Sequence, residues 1–64
     1  MKMITLEAAR VNSGLTQEEA AKMLGISKYT LINYETGKSY PNVPTIKKIE
    51  DLYGLEYKDI FFNV

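Results

Sequence analysis

The residues that could do chemistry are sorted first by what is missing. The chain of 64 residues contains no cysteine and no histidine, which removes any disulfide staple and argues against a zinc site or other metal centre. Carboxylates are the remaining catalytic candidates, and they occur as adjacent pairs, Glu18–Glu19 and Glu50–Asp51. Neighbouring positions on a helix do not face one another. These pairs therefore read as solvating charge, and neither a catalytic residue nor a cofactor is expected. A chain this short also leaves little room for a water-excluding pocket beside its core. The chemistry that stands out is of another kind. In "GISKYTLINYETGK", Gly25 to Lys38, a 3.6-residue period that turns Leu31 and Tyr34 inward puts Lys28, Tyr29, Ile32, Asn33 and Thr36 on the outer face. A solvated face is normally built from Glu, Lys, Gln and Arg. This one offers a lone cation, a phenol, a bare aliphatic and an amide, which is the composition of a contact surface.

Charge is balanced overall, with eight basic and eight acidic residues, but it is unevenly placed. Residues 1–25 cancel, Lys2, Arg10 and Lys22 against Glu7, Glu18 and Glu19. Residues 26–48 carry Lys28, Lys38, Lys47 and Lys48 against Glu35, and residues 49–64 carry Lys58 against Glu50, Asp51, Glu56 and Asp59. The unusual helix thus lies in the basic part of the chain and an acidic part follows it. The opening "MKMITLEAAR" has too few apolar residues before Glu7 for a signal peptide, and no apolar run approaches the length of a membrane span. The expectation is one small, soluble, cytoplasmic domain over residues 1–64, folded by helix packing alone.

Punctuation divides the chain into five short helical segments. Thr5 can cap a first helix to about Asn12, closed by Ser13-Gly14. "TQEE", Thr16 to Glu19, is a capping box that starts a second helix running to about Leu24, and Gly25 stops it. Ser27 caps a third helix ending near Thr36, with Gly37 beyond it. Asn42 caps a fourth helix with Pro44 in its first turn, Gly54 ends it, and "EYKDIFF" forms a last short helix. No strand alternation, repeat or low-complexity tract is apparent. Helices two and three are separated only by Gly25-Ile26-Ser27, a helix-turn-helix spacing. Two helices crossing through so short a turn nearly touch, so a small residue is needed where they meet, and Ala21 supplies it. Ile26 would plug the seam, with Leu15, Leu24, Leu31 and Tyr34 completing the local core.

These residues carry a resemblance. "GLTQEEAAKMLGISKYTLINYETGKSYPN", Gly14 to Asn42, resembles the helix-turn-helix of the Cro/repressor (XRE-type) family of phage and bacterial regulators. "PTIKKIEDLYGLEYKDIF" is similar to that family's fourth and fifth helices. The resemblance implies an all-α, five-helix, lambda-repressor-like fold, a homodimer, and double-stranded operator DNA as partner, with helix three in the major groove. On that basis Lys28, Tyr29, Ile32 and Asn33 are the expected base readers. Lysine can donate to guanine, asparagine can pair with adenine, and isoleucine can meet a thymine methyl; Tyr29 can stack on a sugar or donate to a phosphate or base. The other reading of Ile32 is that it packs beneath the loop Ser39–Asn42. Gln17, Ser27, Thr36, Lys38, Ser39 and Tyr40 are the expected phosphate contacts. Gln17 and Ser27 also have purely local roles at helix starts, while Lys47 and Lys48 read as solvated helix surface. The family pairs an arginine and a glutamate at the positions of Arg10 and Glu35, so an ion pair is expected there, with a phosphate contact as a second use of Arg10.

The chain also departs from the family pattern. Positions 39 and 40 are usually more basic, Glu50 stands where a small residue is usual, and Glu56 replaces a serine-like cap. In "IFFNV", Phe61 is expected to close the core, leaving Phe62 and Val64 to a dimer partner or, as the other reading, to a frayed tail. Neither a small-molecule substrate nor a membrane is implied. Two classes of function remain open: a DNA-binding transcriptional regulator, most simply a repressor, and an interaction module or antitoxin-like regulator that keeps the fold with weak or no DNA binding of its own.

Overall fold

The structure, a computed structural model, describes residues 3–62. In chain order it contains β1 (Ile4–Thr5), α1 (Leu6–Asn12), α2 (Gln17–Leu24), α3 (Lys28–Thr36), α4 (Val43–Tyr53), a 3-10 turn (Tyr57–Asp59) and β2 (Ile60–Phe61). Side-chain caps set the helix starts. Thr5 Oγ1 accepts the Ala8 N–H at 3.1 Å, Ser27 Oγ accepts that of Thr30 at 3.0 Å, and Asn42 Oδ1 accepts that of Thr45 at 3.1 Å. Thr16 and Glu19 bond reciprocally at 3.1 and 2.9 Å, the expected capping box. Each cap satisfies a donor that the first turn leaves without an intrahelical acceptor.

The four helix ends share one closure. Beyond each end lies a glycine, and the next residue's N–H reaches back into the last turn: Leu15 to Arg10 O, Ile26 to Ala21 O, Lys38 to Asn33 O and Leu55 to Glu50 O, at 3.3, 3.0, 2.9 and 3.2 Å. Gly25 matters most, because it makes the turn between α2 and α3. At φ +74° its backbone is left-handed, while a side chain there would meet nothing closer than Lys48 Nζ at 3.8 Å. The demand on this position is conformational rather than steric. Through the same turn Lys48 brings its charge to the C-terminal end of α2, where a cation is favoured.

Leu6, Ala20, Ala21, Leu24, Leu31, Ile49 and Ile60 form the buried cluster, and Leu15, Ile26, Tyr34, Leu52, Tyr53, Leu55 and Phe62 pack on it. No helix among the described residues is long and apolar enough to cross a membrane.

Two expectations need correction. Among the described residues there are four α-helices rather than five, because the last segment makes one 3-10 turn and then a strand. That strand pairs in parallel with β1, Ile4 opposite Ile60 and Thr5 opposite Phe61. The segment starts without a side-chain cap at Glu56, and its β-branched and aromatic end finds backbone partners in β1 instead. The facing of the tail changes with it. Successive strand side chains alternate, so Ile60 is buried, Phe61 is 49% exposed, and Phe62 turns back onto the core. Phe61 does not close the core; Ile60 and Phe62 do. Val64 lies outside the described residues.

Ala21 is 2% exposed at the crossing of α2 and α3. Leucine at this position should cost roughly 1–3 kcal/mol by overpacking. Circular-dichroism melts of Ala21→Leu should show that loss, and an unchanged melt would mean the helices do not meet here.

Candidate nucleic-acid interface

The site is organised from beneath by an ion pair. Arg10, at the end of α1, donates Nε–H to Glu35 Oε2 at 2.8 Å, and its Nη1 donates to the Leu15 carbonyl at 2.9 Å. Glu35, on the inner side of α3, also accepts from Gln17 Nε2 at 3.1 Å through Oε1. The two charged side chains are 10% and 3% exposed. An ion pair this sheltered needs hydrogen bonds beyond the mutual one to offset desolvation, and each partner has one. Tyr53 of α4 packs alongside. Its hydroxyl is buried with no hydrogen-bond partner among the described residues, and its pKa is pushed up to about 12, first by burial and then by the Glu35 charge, with Arg10 opposing. The phenol is therefore neutral over the physiological pH range.

Gln17, expected from the sequence as a phosphate contact at the α2 N-terminus, is also tied to Glu35, a link with no signal in the sequence. An amide carries two N–H donors, so bonding Glu35 fixes the side chain while leaving a second donor for a ligand. One buried node thus sets the position of the α2 start relative to α3.

On the opposite side, α3 presents the face read from the sequence. Leu31 and Glu35 are buried and Tyr34 packs on the core, while Lys28 and Tyr29 are exposed, Tyr29 by 72%. Ile32 and Asn33 are half-buried, and Ile32 stands outside the main apolar cluster. Ser27 is committed locally: its Oγ caps α3 and also bonds Thr30 Oγ1 at 2.9 Å. Thr36 is exposed and donates its hydroxyl to the Ile32 carbonyl at 2.8 Å. Lys28, Tyr29, Ile32, Asn33 and Thr36 therefore share one helix surface, with Gln17 held at the neighbouring helix start.

Lys38, Ser39 and Tyr40 follow α3 in an exposed loop whose first two amides bond the Asn33 carbonyl at 2.9 and 3.3 Å. Tyr40 departs from the simple picture of a phosphate donor. Its hydroxyl is hydrogen-bonded to that of Tyr57, and its ring lies 4.9 Å from that of Phe62. The hydrogen bond to Tyr57 raises the Tyr40 pKa above its ordinary value, with desolvation adding to it. The departures at Glu50 and Glu56 explain one another. Glu56 makes no side-chain cap at the start of the 3-10 turn, and Glu50 Oε2 accepts the Tyr57 N–H there at 2.7 Å. The clue in the sequence was Glu50 standing where a small residue is usual.

Two helices of this length, joined through Gly25 with the second presenting an exposed polar-aromatic face, define a helix-turn-helix domain. The comparisons agree with the geometry. A family model described as Helix-turn-helix matches residues 6–60. The chain is 41% identical over 56 residues to an uncharacterized HTH-type transcriptional regulator of Methanocaldococcus jannaschii, covering 88% of this chain and 85% of that protein. It is 35% identical over 51 residues to the cryptic phage CTXphi transcriptional repressor RstR of Vibrio cholerae, covering 80% of this chain and 46% of that one. It is 40% identical over 50 residues to the HTH-type transcriptional regulator ImmR of Bacillus subtilis, covering 78% and 39%. The chain matches most of the archaeal relative and less than half the length of the other two. It belongs to the XRE-type helix-turn-helix family, which is a family of transcriptional regulators and not a class of enzymes.

Removing one member of the buried pair should be far worse than removing both. Glu35→Ala should destabilise by about 3–5 kcal/mol because it strands the guanidinium, whereas a double replacement by apolar residues of similar volume should cost much less. A double-mutant cycle read by chemical denaturation checks this. No coupling energy would remove the pair from its organising role.

Proposed function

We propose that this chain is a sequence-specific regulator of transcription, acting as a repressor, that binds double-stranded operator DNA with α3 in the major groove. The observation that carries the reading is the division of α3: Leu31 and Glu35 are buried while Lys28 and Tyr29, at its start, are open and have no core role. A recognition helix reads base edges with its N-terminal outward residues. Lys28 supplies donors for guanine O6 and N7, Asn33 pairs with adenine, Ile32 meets a thymine methyl, and Tyr29 takes a sugar, phosphate or base.

Backbone contacts come from the rim. Gln17 has a free amide donor at the start of α2, where helix-end N–H groups also favour a phosphate. Lys38 and Ser39 lie on the loop after α3. Ser27 and Thr36, whose hydroxyls have local partners, contact phosphate through their remaining capacity. Tyr40 can do so when Tyr57 is the donor in their pair, because its own proton is then available. The longer relatives named as a phage repressor and as an HTH-type regulator favour operator binding as the role of this domain.

One domain buries too little DNA surface for tight specific binding, so a symmetric homodimer on a pseudo-palindrome with half-sites about one helical turn apart is part of the proposal. Its contact is the exposed apolar area of Phe61, Met3 and Tyr57, 49%, 57% and 48% accessible, beside the partly buried Phe62; Val64, the other expected contact, lies outside the described residues. The acidic tail segment keeps this end away from phosphate.

Lys28→Ala or Asn33→Ala should weaken the specific site by on the order of 1–3 kcal/mol and relax base preference at the position each reads. Lys38→Ala should weaken binding about equally on all sequences and flatten the salt dependence by about one counterion. Electrophoretic shifts on operator and random DNA separate the two. Equal, sequence-independent losses from Lys28→Ala and Lys38→Ala would mean α3 is not the reader. Absence of any shift would favour the interaction-module class.

A further inference from the structure

We propose that Tyr57 is a positioning residue for DNA binding: through Tyr40 it holds the loop after α3 in its phosphate-facing posture without touching DNA itself. This rests on the DNA reading above.

The loop is fixed at both ends by other means. Lys38 and Ser39 donate their backbone N–H groups to the Asn33 carbonyl at 2.9 and 3.3 Å, and at the far end Pro41 is buried and Asn42 caps α4. Tyr40 lies between these anchors and is 45% exposed. Its side chain crosses to the C-terminal segment. Its hydroxyl bonds the Tyr57 hydroxyl, and both rings flank Phe62, with centroids 4.9 and 5.9 Å away. Tyr57 is itself held, because its N–H is bonded by Glu50 Oε2 at 2.7 Å. The clasp therefore runs from α4 through Glu50 and Tyr57 to Tyr40, with Phe62 as the shared ring.

The charge of the loop gives the clasp its purpose. Lys38 is the only cation between Gly37 and Asn42, so few counterions are released when this loop meets a phosphate. Ordering the loop before binding lowers the entropy cost of the contact. Preorganisation thus offsets scarce charge.

Tyr57→Phe removes only the hydroxyl and keeps the ring against Phe62. In the free protein, the Tyr40 ring, which the clasp holds, should become more mobile by NMR relaxation, while amide exchange at Lys38, Ser39 and in α1 to α3 stays unchanged. Affinity for operator and for random DNA should fall by the same factor, about two- to tenfold for one net hydrogen bond. Base preference and salt slope should not move, since no cation or base contact is lost. In a Tyr40→Phe background, Tyr57→Phe should add no further loss. Unchanged mobility of the Tyr40 ring, unchanged affinity, or a loss confined to the operator would each overturn the role of Tyr57. Failure of the unmodified chain to bind any DNA would instead overturn the DNA reading, and this role with it.

Discussion

The fold depends on one buried polar node, Arg10 with Glu35. A chain of 64 residues without disulfides has a thin apolar core, and two of its most buried members, Ala20 and Ala21, are small. Small side chains let α2 approach its neighbours closely but do little to fix an angle. Hydrogen bonds are directional. Through Arg10, the Leu15 carbonyl, Gln17 and Glu35, the node ties the end of α1, the following turn, the start of α2 and the inner face of α3 into one geometry. Its contribution is orientation more than net stability, since an apolar replacement could equal it in free energy. Orientation is what a reading helix needs.

Balanced net charge is unusual for a DNA-binding domain and bears on the proposed interface. In the proposed interface few cations lie on the loop after α3, so its affinity would come from groups already in place before DNA arrives. Gln17 is held by Glu35, the first loop amides by the Asn33 carbonyl, and Tyr40 by Tyr57 and Phe62. The acidic residues 49–64 have a matching place. Glu50 supplies the missing cap of the 3-10 turn.

Most of the helical part was legible because its signals are local. Thr5, Thr16, Ser27 and Asn42 cap within three residues of themselves, and Gly14, Gly25, Gly37 and Gly54 stop each helix through their own backbone. The outward face of α3 was likewise a matter of period. What stayed hidden depends on distant partners. Ile60 and Phe61 become a strand only because Ile4 and Thr5 lie beside them, and that pairing decides which phenylalanine faces in. The Arg10–Glu35 pair came from resemblance to a family and not from spacing. The bond from Gln17 to Glu35 and the contact of Tyr40 with Tyr57 had no local signal. Glu50 was marked as unusual, but its partner across Gly54 could be found only in three dimensions.

The most direct test of the central claim, that α3 on this node reads operator DNA, is selection of bound sites from a random double-stranded pool by the full chain. A pseudo-palindrome should be enriched, with two half-sites about one helical turn apart and a guanine and an adenine among the fixed positions of each half. Recovery of an unenriched pool, or of sites enriched equally by a chain carrying Lys28→Ala and Asn33→Ala, would contradict it.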